Sequence, residues 1–172
     1  MRSIGISKLL GRFNVVPLEL LRIQRKETVT LRPRFQQNGK ETQSYDIMIH
    51  EDGLVHPSPA SGMWEGPNGM TLRPPFSSVM SRLIDQASSR DHFIFRIPQG
   101  VTLPPSLILL HEHTDHYSLQ PTVKCTLEDF NATLTNFLHE NAEMSIVIEF
   151  LRKNGTLAPN QKRGPANKIS HG

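Results

Sequence analysis

A single cysteine in 172 residues, Cys125, excludes an internal disulfide and with it the stapled scaffolds of small secreted domains. The chain is therefore expected in a reducing compartment, the cytoplasm, with Cys125 as a small half-buried filler. No apolar run approaches the roughly 20 residues that a membrane-crossing helix needs, so no membrane role is expected. The N-terminus lacks the apolar stretch of a secretory signal. Arg2, Lys8 and Arg12 precede the first acid, Glu19, a pattern shared by a short organellar targeting helix and by a flexible basic arm. A strong charge excess is missing too: the formal charge is +3, with both signs interspersed, so nothing calls for a nucleic-acid partner. No internal repeat is present.

What remains is enough for one domain with a real core. The expected layout is a flexible arm over 1–12, a folded domain over 13–153 and a basic disordered tail over 154–172, where apolar residues almost vanish. Pro17 to Gln24 leads from a turn into a first strand that contains Arg22. Gln36 to Thr42 is polar around the turn signal Asn38-Gly39. Tyr45 to His50, the turn Asp52-Gly53 and Leu54 to His56 read as two strands of a hairpin. Prolines and glycines from Pro57 to Pro75 argue against regular structure there and suggest a functional loop.

Phe76, Met80, Leu83 and Ile84 share one helical face. Phe93 to Ile97 alternates as a strand and Leu107 to Leu110 continues as a buried one. Thr126 is placed to cap a helix with the stripe Leu127, Phe130, Leu134, Phe137 and Leu138, and with Glu128 and Asp129 in its first turn. Met144 to Leu151 fits either period; its β-branched run favours a strand.

Chemistry concentrates between Ile97 and Pro121, IPQGVTLPPSLILLHEHTDHYSLQP. His111, His113, Asp115 and His116 follow the H-x-H-x-D-H spacing of a metallo-β-lactamase-type zinc site, which would make the protein a zinc-dependent hydrolase. Such folds need a longer chain and further ligands downstream, where only His139, His171 and Asp129 remain.

The same stretch, taken with LRIQ, YDIMIHEDGLVHP and GPNGMTLRP in that order, resembles the type VI secretion exported toxin family named Tse-two, in particular its fungal members. The resemblance runs from about Phe13 to Phe137. It implies an α+β ADP-ribosyltransferase-like fold, two antiparallel or mixed sheets with flanking helices around a cleft for NAD. It also implies an intracellular toxin that cleaves the nicotinamide–ribose bond, an unknown macromolecular acceptor for ADP-ribose and a dedicated immunity protein.

On this reading Thr71, His116, Tyr117 and Gln120 form the catalytic set. Arg22, Arg73 and Ser118 hold the dinucleotide, the arginines gripping phosphate through their planar forks, and no metal is assigned. Tyr117 is expected to stack on nicotinamide, and Ser118 and Gln120 share one strand face. The cleft glutamate of many such transferases has no clear equivalent, Glu112 being the nearest acid. A non-enzymatic binding module on the same fold is the remaining alternative.

Overall fold

The computed structural model describes residues 7–35 and 44–155. The long apolar strand expected after Pro105 is β9, Leu107–His113, and it pairs with β10, His116–Pro121. A tight turn joins them, with Thr114 at φ 40°, a left-handed conformation uncommon for threonine. The His111 Nε2–H donates to the Thr114 carbonyl at 2.7 Å and holds this turn. β2, Gly11–Phe13, flanks β9, and β7, Met70–Leu72, flanks β10, giving an antiparallel sheet in the order β2-β9-β10-β7. One face of it is apolar: Met70, Leu72, Leu107, Leu109, Tyr117 and Leu119 all enter the main core.

A second antiparallel sheet has the order β11-β8-β3, from β3, Leu20–Gln24, β8, Phe93–Ile97, and β11, Glu143–Ile146. Both its faces are covered, which is why Ile94 and Phe95 are buried although they point opposite ways. Leu20, Phe95 and Ile97 pack against α2, Leu127–Asn141, through Phe130, Leu134, Phe137 and Leu138. Leu21 and Ile94 face α1, Ser78–Ala87, and α3, Val147–Asn154. The two sheets meet edge to edge: the Leu21 and Arg73 backbones exchange hydrogen bonds of 2.7 and 3.1 Å. Two short pairs complete the described strands, β1, Ser7–Lys8, with β6, Met63–Trp64, and β4, Pro33–Phe35, parallel to β5, Ile47–Ile49.

The fold is α+β, with several antiparallel sheets and three helices among the described residues, as the sequence suggested. Several local expectations change. Ser7–Lys8 and Gly11–Phe13 are already in sheets, so ordered structure begins before residue 13. The Asp52-Gly53 turn forms, with Gly53 at φ 77°. Its far arm, however, forms no strand with Ile47–Ile49: the Leu54 carbonyl accepts from His50 N at 3.0 Å across the turn, and Val55 bridges Cys125.

The Pro57 to Pro75 stretch carries β6 and β7 despite its prolines and glycines. Phe76 is 76 % exposed because Ser77 caps α1 by accepting from Met80 N, leaving Phe76 outside the helix. Met144 to Leu151 splits: Ile146 ends a strand, and Val147 and Phe150 begin the buried face of α3. The turn at Asn38-Gly39 and most of the expected tail lie outside the described residues.

Candidate functional site: a buried glutamate in a polar hollow

Strand alternation gives the four-stranded sheet a second face, on which polar side chains join Ile108 and Leu110. Ser118 and Gln120 on β10, Thr71 on β7 and Glu112 on β9 point away from the core, and Ser118 pairs with Thr71 in the register. A β-bulge between His116 and Tyr117 shifts the register and turns His116 toward Glu112; bulges re-aim side chains in this way. The chain from Ser58 to Gly69 covers this face. Gly69 approaches so closely that a Cβ there would stand 2.1 Å from the Leu119 carbonyl oxygen, so only glycine fits.

Under this cover lies a hollow of about 190 Å³, whose walls include Trp64, Thr71, Glu112, His113, His116 and Ser118. Glu112 is 1 % exposed. A carboxylate taken out of water is stable only with partners, and it has them. Oε1 accepts from Gln120 Nε2 at 3.1 Å, and Oε2 lies at ion-pair distance, 2.7 Å, from His116 Nδ1, although neither Oε2 nor Nδ1 makes a hydrogen bond. Gln120 is itself fixed, because its Oε1 accepts from Ser58 Oγ and from Asn68 Nδ2 at 3.2 Å. The indole Nε1 of Trp64 is buried without a partner, and the ring meets His113 edge-on. Burial and the neighbouring His116 hold the His113 imidazole below its ordinary pKa.

Two larger hollows adjoin. One, about 420 Å³, shares Arg32 and Asp46 with the first and adds Arg22, Arg25 and Lys26. Its far wall is pinned from α2, where Thr135 Oγ1 accepts from Val29 N at 2.9 Å and Asn131 Oδ1 accepts from Leu31 N at 3.1 Å. Arg32 grips Asp46 through Nε and Nη2 at 3.0 and 2.9 Å. Burial pushes the Asp46 carboxyl up, but Arg32 outweighs it and leaves the group below its ordinary value. Loss of water around Arg22 lowers its guanidinium pKa, Asp46 opposing the shift. The other hollow, about 340 Å³, shares Tyr45, Pro67 and Asn68.

The predicted residues divide. Arg22 and Thr71 come together, Arg22 Nη1 donating to the Thr71 carbonyl at 3.2 Å. His116 and Ser118 line the hollow, and Gln120 sits behind Glu112 as a positioning residue. Two expectations are corrected. Tyr117 lies on the core face of β10, 7 % exposed and stacked on His111 at 4.2 Å, because successive side chains on a strand point to opposite faces. Arg73 is paired with Asp115 and is not a free phosphate contact. The zinc set is also divided: His111 is held by Thr114 and Tyr117 on the core face, and Asp115 is held by Arg73.

Sequence reasoning missed Trp64, Arg32 and Asp46, and passed over Glu112. The alternation Ile108, Leu110, Glu112 opposite Ser118 and Gln120 was the available signal for the last.

The family model for the Tse2 ADP-ribosyltransferase toxin matches residues 18–150. The chain belongs to this family. The matched span takes in β3, the face that carries Glu112, α1, α2 and the first half of α3, and the α+β architecture is consistent with an ADP-ribosyltransferase domain. Comparison with curated proteins gives no significant match. Among the described residues no helix is long and apolar enough to cross a membrane.

Proposed function

We propose that the hollow at Glu112 receives the nicotinamide–ribose end of NAD, and that the adjoining Arg22 and Arg32 hollow receives its pyrophosphate. The protein then breaks the nicotinamide–ribose bond and passes ADP-ribose to a macromolecular acceptor. Breaking this bond sends its electron pair to the nicotinamide nitrogen and leaves cationic character on the ribose carbon, so a fixed negative charge beside that carbon lowers the barrier. Glu112 supplies the charge. Its Oε1 is held by Gln120 and its Oε2 is left without a hydrogen bond and free to face the substrate, so little reorganisation is needed as the cation develops. A nucleophile of the acceptor forms the new bond to the same carbon and releases its proton.

The donor set fits the ligand. Thr71 and Ser118 offer hydroxyls to the ribose or carboxamide, and the unpartnered Trp64 N–H offers a donor beside an aromatic surface. Arg22 and Arg32 offer guanidinium forks to phosphate. The observation that carries the reading is the buried Glu112 carboxylate, anchored through Oε1 by Gln120 and facing His116 through an Oε2 that has no hydrogen-bond partner, beside hollows lined by those groups.

The test is nicotinamide release by folded protein. Glu112→Gln keeps the side chain's size and removes its charge, and should slow release by about 100-fold or more. If folded wild-type protein releases no nicotinamide, the chain is a binding module instead. In keeping with the family, the proposed setting is the cytoplasm of a target cell, with an immunity protein as the opposing partner. Expression in a host should be toxic, and Arg22→Ala or Thr71→Ala should relieve the toxicity.

A further inference from the structure

The bulge that aims His116 at Glu112 also brings in His113. The imidazoles of His113 and His116 are nearly parallel, with centroids 4.8 Å apart, and Glu112 Oε2 lies 2.7 Å from His116 Nδ1. One ligand atom from each of the three residues lies within 4.8 Å of the others. A tetrahedral zinc ion holds nitrogen and oxygen ligands at about 2.0–2.1 Å, which spaces them about 3.3 Å apart. The Glu112–His116 pair at 2.7 Å lies inside that spacing and no donor of the set is farther than 4.8 Å from another.

We propose that Glu112, His113 and His116 bind a divalent transition-metal ion of the zinc class, and that the bound ion withdraws the Glu112 carboxylate from the reaction. This set keeps His113 and His116 of the histidine motif read in the sequence and takes Glu112 in place of His111 and Asp115. His111 is turned to the other face, with its Nε2 on the Thr114 carbonyl, and Asp115 is engaged by Arg73. Two nitrogens and one carboxylate oxygen suit zinc, cobalt or nickel better than calcium or magnesium, which prefer oxygen. The second oxygen of Glu112 is already held by Gln120, the kind of supporting bond that steadies a metal ligand.

With three protein ligands the ion keeps an open coordination position, as exchangeable sites do. His113 is the exposed member of the set and so the one free to swing onto an incoming ion. Binding therefore closes the hollow with a cation where the substrate cation would form. This consequence rests on the function proposed above, whereas the metal site itself does not.

Titration of the full chain with Co²⁺, read by its visible absorption, tests the site directly. The expected result is one equivalent bound with the intense bands of a four- or five-coordinate ion, displaced by Zn²⁺. Affinity should fall more than about 100-fold in His113→Ala, whose exposed position spares the fold, and should be unchanged in the double variant His50→Ala/His56→Ala. Absence of bands, or bands that survive His113→Ala, overturns the site. Cobalt binding without any nicotinamide release by metal-free protein would leave the site standing and remove the catalytic reading; turnover without cobalt binding would do the reverse.

Discussion

The Nη1–H of Arg22 donates to the Thr71 carbonyl oxygen at 3.2 Å, joining the edge of the three-stranded sheet to the edge of the four-stranded one beside the backbone bridge of Leu21 and Arg73. Residues 49 positions apart in sequence thereby bring a guanidinium to the border of a hydroxyl-lined hollow. Several measurable consequences depend on that border.

Replacing Arg22 with alanine removes both the clamp and the charge. The KM for NAD should rise about tenfold or more, since a hydrogen bond to a charged group is worth about 1.5–3 kcal/mol, while kcat falls less. Arg22→Lys should recover only part of the loss, because an ammonium lacks the planar fork. A variant that changes kcat alone would show that Arg22 does not bind the substrate.

Gln120 holds Glu112 without lining the hollow, so its loss should appear in kcat more than in KM. Gln120→Leu leaves a buried carboxylate oxygen without its donor, which costs about 1–3 kcal/mol of stability. Paired kinetics and denaturant unfolding measure the two effects. Unchanged kcat in a folded variant would remove Gln120 from its positioning role.

Tyr117 is a core residue by position. Tyr117→Phe should retain activity within about threefold, a shift of about 0.7 kcal/mol or less. Tyr117→Ala should destabilise by about 3–5 kcal/mol, as large-to-small changes in a packed core do. Thermal unfolding and nicotinamide release together separate these outcomes from a stacking role on the substrate.

Acid should weaken the fold through Asp46 and Asp115. Burial raises both carboxyls. For Asp46 this is outweighed by hydrogen bonds and charge from Arg32, and for Asp115 by a hydrogen bond from Ser77 and by Arg73; both end below the ordinary value. A carboxyl whose folded pKa is depressed contributes stability that is fully present above its unfolded value of about 3.9 and is lost as pH falls through the folded one. Unfolding free energy should therefore decline from roughly pH 4 downward, and less steeply in Asp46→Asn. An equal slope in that variant would contradict the assignment.

Much of the frame was legible because local signals agreed with the packing. Thr126 with its apolar stripe gave α2, and the run from Leu107 gave the central strand. The stretch from Pro57 to Pro75 was not legible as structure. Met63–Trp64 and Met70–Leu72 are two and three residues long, too short for any period to register, and they are strands only because β1 and β10 offer partners.

The candidate site was half legible for a related reason. The family blocks pointed to Arg22, Thr71, His116 and Ser118, which do line adjoining hollows. Tyr117 and Arg73 were misjudged because a motif gives position in sequence without strand face or ion-pair partner. Glu112 became visible only once the bulge at His116 and the alternation of β9 were fixed together.

The most direct test of the central claim is a crystal structure of the Glu112→Gln variant soaked with NAD. The account predicts an intact dinucleotide with its nicotinamide ribose against Thr71 and Ser118 and its pyrophosphate toward Arg22 and Arg32. A dinucleotide bound on another surface, or none at millimolar concentration, would contradict it.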